Sequence, residues 1–327
     1  MEILELTSKA VSMIGRYGEV GLRSHGYPDR LESHRGFRIS ADQSGNLNQH
    51  WRFRVKLLIG GLTTGPGGLV VQLLGPVRLG RGHADTALPP KVRQILAVIA
   101  LRAGSVVAHD TLISELWAED PPRSAMTTMQ TYIYQLRQAV DSLHGSHRGA
   151  QVLITESSGY LLRENTVEID VMRFRELART ARAHLHEQPE LAVSLARQAL
   201  SLVRGEPLMD VAVGQVLNGG VVRLREEIAL VQQLVIEAEI GLRRYSEAIV
   251  ELHELCSLHP LREWFHYHLM DVLARNGRRA EALEVYADLG RRLRGELGIE
   301  PSQGFQQLHM RILDGKIAPD TRDTRPA

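Results

Sequence analysis

The segment Arg123–Asp141, RSAMTTMQTYIYQLRQAVD, constrains the chain more than any other. Met126, Met129, Ile133, Leu136 and Val140 recur at spacings of three and four, the period of one helix face. At about 100° per residue the opposite arc collects Ser124, Thr127, Thr128, Thr131, Tyr134, Gln135 and Gln138, with Arg123 and Arg137 on its flank. That arc holds no acid before Asp141. A solvated helix face ordinarily mixes Glu with Lys. Hydroxyls, amides and arginines are instead the groups that hydrogen-bond base edges and phosphates. A surface helix of unusual composition is the competing reading, and the flanking residues bear on the choice.

Order is expected to begin at Leu69. The β-branched run LVVQLLG (69–75), then PVRLGR and ALPP (87–90), reads as two or three short strands. Pro89 and Pro90 open a helix with Val92, Ile95, Leu96 and Ile99 inward and Gly104 as its stop. Asp110 is the expected N-cap of the next helix, TLISELW, with Leu112, Ile113, Leu116 and Trp117 facing the core. The link AEDPPRS (118–124) is longer than a simple helix-turn-helix turn, and Ser124 is the expected N-cap of the helix that follows. QVLITESSGYLLRE then alternates and turns at Ser157-Ser158-Gly159, a β-hairpin. Strands, three helices and a hairpin is the order of a winged helix-turn-helix domain.

The pieces LGPVRL, LRAGSVV, LISELW, PPRSAMTTMQTYIYQLR and SGYLLR occur in order at the expected spacing. They resemble the N-terminal domain of the Streptomyces antibiotic regulatory proteins (the SARP family), whose DNA-binding domain is similar to that of OmpR. The resemblance continues through IDVMRFREL (169–177), LREE (224–227), HPLRE (259–263) and LRGELGIEPSQGFQQLH (293–309), which look like that family's bacterial transcriptional activation domain. It covers about residues 69–315. The large ATPase and repeat domains of the family's long members have no counterpart here.

The C-terminal half also reads without that family. Apolar periods of three and four run through 171–186, 191–203, 223–242, 247–258, 264–274 and 280–293. RYSEAI (244–249) recurs as RRAEAL (278–283), an offset of 34 residues, which is the tetratricopeptide period. Ala248 and Ala282 occupy the same slot, a small residue where paired helices approach. Three helical hairpins closed by a final helix, 302–313, are expected. The fold class is therefore an α+β winged helix-turn-helix domain (69–165) followed by an all-α tetratricopeptide-like helical repeat domain (166–315). Residues 1–68 read as a poorly ordered extension, and 316–327 as a disordered tail. The glycines at 60, 61, 65, 67 and 68 match neither nucleotide-binding fingerprint and read as a linker. A natural start near Val70 would account for the extension.

Composition bounds the function classes. Of the 327 residues, 43% are apolar and 24% charged, which describes a globular chain. No stretch approaches the roughly 18 uninterrupted apolar residues of a membrane span, and MEILELTSKAVSMIGRYGEV does not read as a secretory signal. The single cysteine, Cys256, cannot form an internal disulfide, so a cytoplasmic protein, associated with the nucleoid, is expected. Net charge is +1 overall, and +3, +1 and −3 over residues 1–68, 69–165 and 166–327. Without a basic footprint, DNA binding must rest on local placement of groups. His253, Cys256, His259, His266 and His268 crowd one region, but the interleaved Leu252, Leu255 and Leu258 favour core and surface histidines over a metal site. No constellation supports catalysis, and no cofactor is expected.

The expected DNA-binding residues are Arg123, Ser124, Thr127, Thr128, Thr131, Tyr134, Gln135, Arg137 and Gln138, with the helix in the major groove. Gln135 or Gln138 can pair with adenine, the threonines suit phosphates or thymine methyls, and Arg123 and Arg137 suit phosphates. The resemblance implies a wing that touches the minor groove, which adds Ser157, Ser158 and Tyr160, although Glu156 puts an acid at its tip. It also implies an activator. Two protomers would sit head to tail on direct repeats of double-stranded promoter DNA beside the −35 element and contact RNA polymerase holoenzyme, sigma region 4 included. The target would be an antibiotic or other secondary-metabolite gene cluster. The acids Glu119 and Asp120, awkward beside DNA, suit a basic polymerase surface. The alternative is a peptide- or ligand-binding helical scaffold whose winged helix does not bind DNA.

Overall fold

The computed structural model describes residues 68–144, 147–317 and 320. Nearly all of the expected extension, and the tail beyond 320, lie outside the described residues. The chain opens with strands β1 (Leu69–Gln72), β2 (Arg78–Arg81) and β3 (Ala84–Thr86). Helices α1 (Pro90–Leu101), α2 (His109–Trp117) and α3 (Ala125–His144) follow, with strand β4 (Val106–Ala108) between the first two. A single turn, α4 (Gly149–Val152), leads into the hairpin β5 (Leu153–Glu156) and β6 (Gly159–Leu162). Strand β7 (Val167–Ile169) closes this half.

Two small sheets frame the three helices. One has the order β3-β2-β1-β7, with β7 parallel to β1 and the other pairs antiparallel. The other, β4-β6-β5, is the wing. Val92, Ile95, Leu96 and Ile99 of α1 are fully buried, as their period requires, and Gly104 takes the left-handed φ of +79° at the stop. β7 extends the first sheet past the expected boundary at Asn165, because its alternate residues Val167 and Ile169 are buried beside β1. Asp110 is not the N-cap of α2. That helix begins at His109, two residues earlier than expected, after the extended Ala108, so Asp110 lies inside the first turn.

Among the described residues the second half holds seven α-helices, α5 (Asp170–His184), α6 (Pro189–Leu200), α7 (Gln215–Gly241), α8 (Tyr245–Leu258), α9 (Glu263–Arg275), α10 (Arg279–Arg292) and α11 (Gln303–Leu313), with a π-helical turn at Leu293–Leu297 between the last two. The repeat of 34 residues holds at the level of single hydrogen bonds. Arg244 N donates to Glu239 O at 2.9 Å, and Arg278 N to Leu273 O at 2.9 Å. The preceding turn residues, Arg243 and Gly277, have φ of +59° and +77°. Ala248 and Ala282 are both fully buried where the helices approach. The motif fragments meet in two places, on α7 and between the starts of α9 and α11. Glu227 pairs with Arg175 at 2.8 Å, Glu226 with Arg262 at 2.5 Å, and Glu263 accepts from Ser302 N at 2.9 Å. The expected tail is seated as far as it is described. Ile317 packs against the core, and Asp320 N donates to Arg275 O at 2.8 Å while its carboxylate meets Arg243 and Tyr245.

Three carboxylates join the halves, and two of them, Asp170 and Glu115, are buried. Asp170, the first residue of α5, accepts from Leu73 N at 2.8 Å and Leu74 N at 3.0 Å, with Arg204 at 3.7 Å. Burial pushes its pKa up, opposed by those amides, by Arg204 and by Val171 N. Asp210 accepts from Val77 N at 2.8 Å and pairs with Arg93 at 2.6 Å. Glu115 of α2, 3% exposed, accepts from Gly214 N, Val216 N and Leu217 N at the start of α7.

His259, His266, His268 and His309 are all held below the ordinary 6.5 of histidine, chiefly by burial. The unfolded chain therefore binds more protons below that value, and stability is lost as pH falls through 6.5. The melting temperature is expected to drop between about pH 7.5 and pH 5, with a shallower slope in His266→Leu. A flat profile in the unaltered chain would show that these rings protonate without cost.

Candidate nucleic-acid interface

Helix α3 is amphipathic over its 20 residues. Ala125, Met129, Ile133, Leu136 and Val140 are buried. Met126 departs from the expected inward row and is 40% exposed. The first turn stands at the rim of the core, where the smaller Ala125 takes the inward position.

The outward residues sit where the helical period places them. Thr127, Thr131, Tyr134, Gln135 and Gln138 are exposed, Thr128 is half-buried, and Arg123 and Ser124 stand exposed at the entry. Gln130, outside the expected set, is also exposed. No Asp or Glu interrupts this face. Asp141 turns back to accept from Gly149 N at 2.7 Å, which caps the α4 turn. Several side chains are held in place. Gln138 Nε2 donates to Tyr134 Oη at 2.6 Å, Thr131 Oγ1 to Thr127 O at 3.0 Å, and Thr128 Oγ1 to Ser124 Oγ at 3.4 Å. Tyr134 remains 59% exposed, with its ring facing solvent.

In the free chain Arg137, expected at a phosphate, is engaged internally. Its Nε and Nη2 donate to Leu153 O at 3.1 and 2.7 Å, and Nη2 also to Thr155 Oγ1 at 2.7 Å. The flank position brings the guanidinium against β5, whose outer strand leaves that carbonyl free. Arg137 thus braces the wing on α3. Tyr160, expected on the wing, is buried. It is 4% exposed and packs edge-on against His109 with ring centroids 5.2 Å apart, because its position on β6 alternates inward. Burial raises its pKa, with Arg137 opposing. Of the expected turn Ser157-Ser158-Gly159, Ser157 and Ser158 form an exposed two-residue tip while Gly159 pairs with Glu156 in the strands, and Glu156 is exposed beside the tip.

The wing root is close-packed. A Cβ on Gly159 would lie 1.9 Å from Val107 O, and Ser158 O accepts from His109 N at 3.1 Å. The tip is thereby tied to the start of α2. The link 118–124 leaves α2 through Ala118, whose φ of +55° and ψ of −123° are strained for a residue with a Cβ. Trp117, half-buried, stacks on Tyr132 at 6.4 Å and anchors the link on α3. Glu119 and Asp120 are exposed. Arg81 and Arg148 stand near His144 at the far end of α3 and, after burial, push its pKa down.

Glu115, Asp170 and Asp210 were not singled out by the sequence reading. For Glu115 a signal existed: it follows Leu112 by three residues and lies on the buried face of α2, where an acid needs a partner. Among the described residues no group of three His, Cys, Asp or Glu is placed to hold a metal ion. No described helix is long and apolar enough to cross a membrane. Burial pushes the pKa of Cys256 up to about 12, so the thiol stays protonated.

Residues 83–162 match the family model described as "Transcriptional regulatory protein, C terminal", and 169–313 the one described as "Bacterial transcriptional activator domain". The chain is 39% identical to the regulatory protein DnrI of Streptomyces peucetius over 248 residues, covering 74% of this chain and 91% of that one. It is 37% identical to the regulatory protein AfsR of Streptomyces coelicolor, covering 77% of this chain but only 25% of that longer relative. The structure of Mycobacterium tuberculosis EmbR in complex with a low affinity phosphopeptide superposes with a TM-score of 0.71 at 29% identity, over 76% of this chain and 66% of that one.

Arg137→Ala should release the wing. Loss of charge-assisted bonds to a backbone carbonyl costs about 1.5–3 kcal/mol, read by chemical denaturation. Arg137→Lys should not restore it, because an ammonium cannot reproduce the planar fork. Wild-type stability in Arg137→Ala would refute the brace. Gly159→Ala should destabilise by about 1–3 kcal/mol through forced displacement of β6 from β4. Unchanged amide protection across 106–108 would contradict that.

Proposed function

The chain belongs to the family of Streptomyces antibiotic regulatory proteins and is a transcriptional activator of that class, and on that footing we propose that it binds double-stranded promoter DNA sequence-specifically through α3. The observation that carries the reading is the exposed, acid-free face of Thr127, Thr131, Tyr134, Gln135 and Gln138 on a helix whose other face is wholly committed to the core. Such a face fits the major groove, with amides for adenine and hydroxyls and methyls for phosphate and thymine. Gln130 and Met126 join it at the rim. Arg123 and the exposed Ser157 and Ser158 reach backbone and minor groove, and the braced Arg137 fixes the angle between helix and wing. With Arg137 engaged internally, fewer cations face DNA, so binding should depend on salt less steeply than for a basic reader.

Two protomers bind head to tail on direct repeats beside the −35 element. Glu119 and Asp120 on the exposed link meet a basic polymerase surface, sigma region 4, and the helical domain offers further contacts. The target is a secondary-metabolite gene cluster. The role is one of binding and recruitment, with no catalytic step. The scaffold alternative is separated by a mobility-shift assay with DNA from the chain's own gene neighbourhood, which only the DNA reading expects to be retarded.

Gln135→Ala should lose about 1–3 kcal/mol of discrimination at one base pair, read by binding to a panel of operator variants. Equal affinity for every variant would remove Gln135 from the readout. The Glu119→Ala, Asp120→Ala double variant should keep its fold, since exposed loop charges contribute little. Operator affinity should be retained or slightly increased as repulsion from phosphate falls. Activated transcription with purified polymerase should drop, and full activation at matched DNA occupancy would clear these acids of the contact.

A further inference from the structure

We propose that Glu115 is a positioning residue for activation: a latch that fixes the start of the link 118–124 to the helical domain, so that both present one surface. The proposal rests on the DNA-binding reading above.

The geometry begins at α7. Its N-terminal amides find no acceptor within their own segment, since Gly214 and the residues around it supply no side-chain cap. Glu115 supplies it from the other half of the chain. Its Oε1 accepts from Gly214 N at 2.6 Å, and its Oε2 from Val216 N at 2.7 Å and Leu217 N at 3.2 Å. A carboxylate at a helix N-terminus also gains from the helix dipole. Gly214 is close-fitted to it. A Cβ there would lie 2.8 Å from both the Glu115 carboxyl carbon and its backbone oxygen.

The same turn of α2 is held from the other side. Gln94 Nε2 donates to Glu115 O at 2.8 Å, and Lys91 Nζ to Leu116 O at 2.7 Å and to Gln94 Oε1 at 3.3 Å. Two side chains of α1 thus satisfy carbonyls at the end of α2, while its carboxylate satisfies the amides that open α7. Trp117 and the strained Ala118 follow at once, and the exposed link leaves from there. The link therefore starts from a point set jointly by α1 and the helical domain. The outward residues of α3 are held chiefly by other contacts, its own core row, the Arg137 brace and the Asp141 cap, and the Trp117–Tyr132 stack is the one described ring contact that α3 shares with the end of α2. Releasing the latch should leave DNA reading intact and misplace the activating surface.

The test uses the full chain and two variants on opposite sides of the contact. Glu115→Gln removes the charge at constant shape, and Gly214→Ala presses from the α7 side on the same carboxylate and on the Glu115 backbone oxygen while leaving the sequence of α2 unchanged. In the free protein, amide exchange at Val216 and Leu217 should quicken by about ten-fold in both. Operator affinity should stay at the wild-type value, while transcription at matched DNA occupancy falls by at least about five-fold. A purely structural role would not split affinity from activation. Faster exchange with full activation would overturn the proposal, as would unchanged exchange. Parallel loss of operator affinity and activation in both folded variants would also overturn it, by assigning Glu115 to support of the DNA-reading unit. If Glu115→Gln does not fold, Gly214→Ala decides alone. Failure of the unaltered chain to bind any promoter DNA would sink the underlying reading, and is told apart because the exchange arm needs no DNA.

Discussion

The two halves of this chain are joined by carboxylates that accept backbone N–H groups, and the rest of the arrangement depends on that chemistry. Asp170 ties the loop after β1 to the first turn of α5, Asp210 ties Val77 and Arg93 to the connector before α7, and Glu115 caps α7 from α2. A buried carboxylate without partners would be costly. Around the buried Asp170 and Glu115, three or more donors convert that cost into a geometric constraint, because no other placement satisfies it. A junction of this kind differs from an apolar one, which tolerates sliding. It also explains why the link between α2 and α3 has a defined origin.

Within the first half, the outward and inward jobs of α3 fall to different residues. The buried row of Met129, Ile133, Leu136 and Val140 sets the rotation of the helix. Arg137 and Asp141, at the edges of that row, hold the wing and the α4 turn. The remaining hydroxyls and amides are left facing solvent. Gly159 permits β6 to approach β4 closely enough for the Ser158 carbonyl to reach His109 N. Helix α3, the hairpin and the start of α2 are therefore tied to one another.

The second half shows what the family fragments do physically. IDVMRFREL, LREE and HPLRE are far apart in the chain, yet Arg175, Glu226, Glu227 and Arg262 pair across neighbouring helices. Ion pairs at such exposure contribute modestly to stability. Their geometric effect is to set how the α5, α7 and α9 turns sit against one another. The buried rows of Leu224, Leu234, Ile249 and Phe265 supply the packing.

Much of this was legible in one dimension because periodicity is a local property. The helical period of α1, α3 and α8–α10, the 34-residue recurrence with its paired alanines, and the position of the hairpin turn, though not that Gly159 already belongs to the strand, follow from spacing alone, since each depends on neighbours within a turn or a repeat. Outward placement of Thr127, Thr131, Tyr134, Gln135 and Gln138 was legible for the same reason. The use to which Arg137, Tyr160 and Glu115 are put was not. Arg137 reads as a free cation until β5 brings the Leu153 carbonyl beside it, and Tyr160 reads as a wing residue until β4 turns it inward. Glu115 reads as an acid on an apolar face until α7, about a hundred residues later, presents its amides. A polar group's partner is set by distance in space, and the sequence orders residues only along the chain.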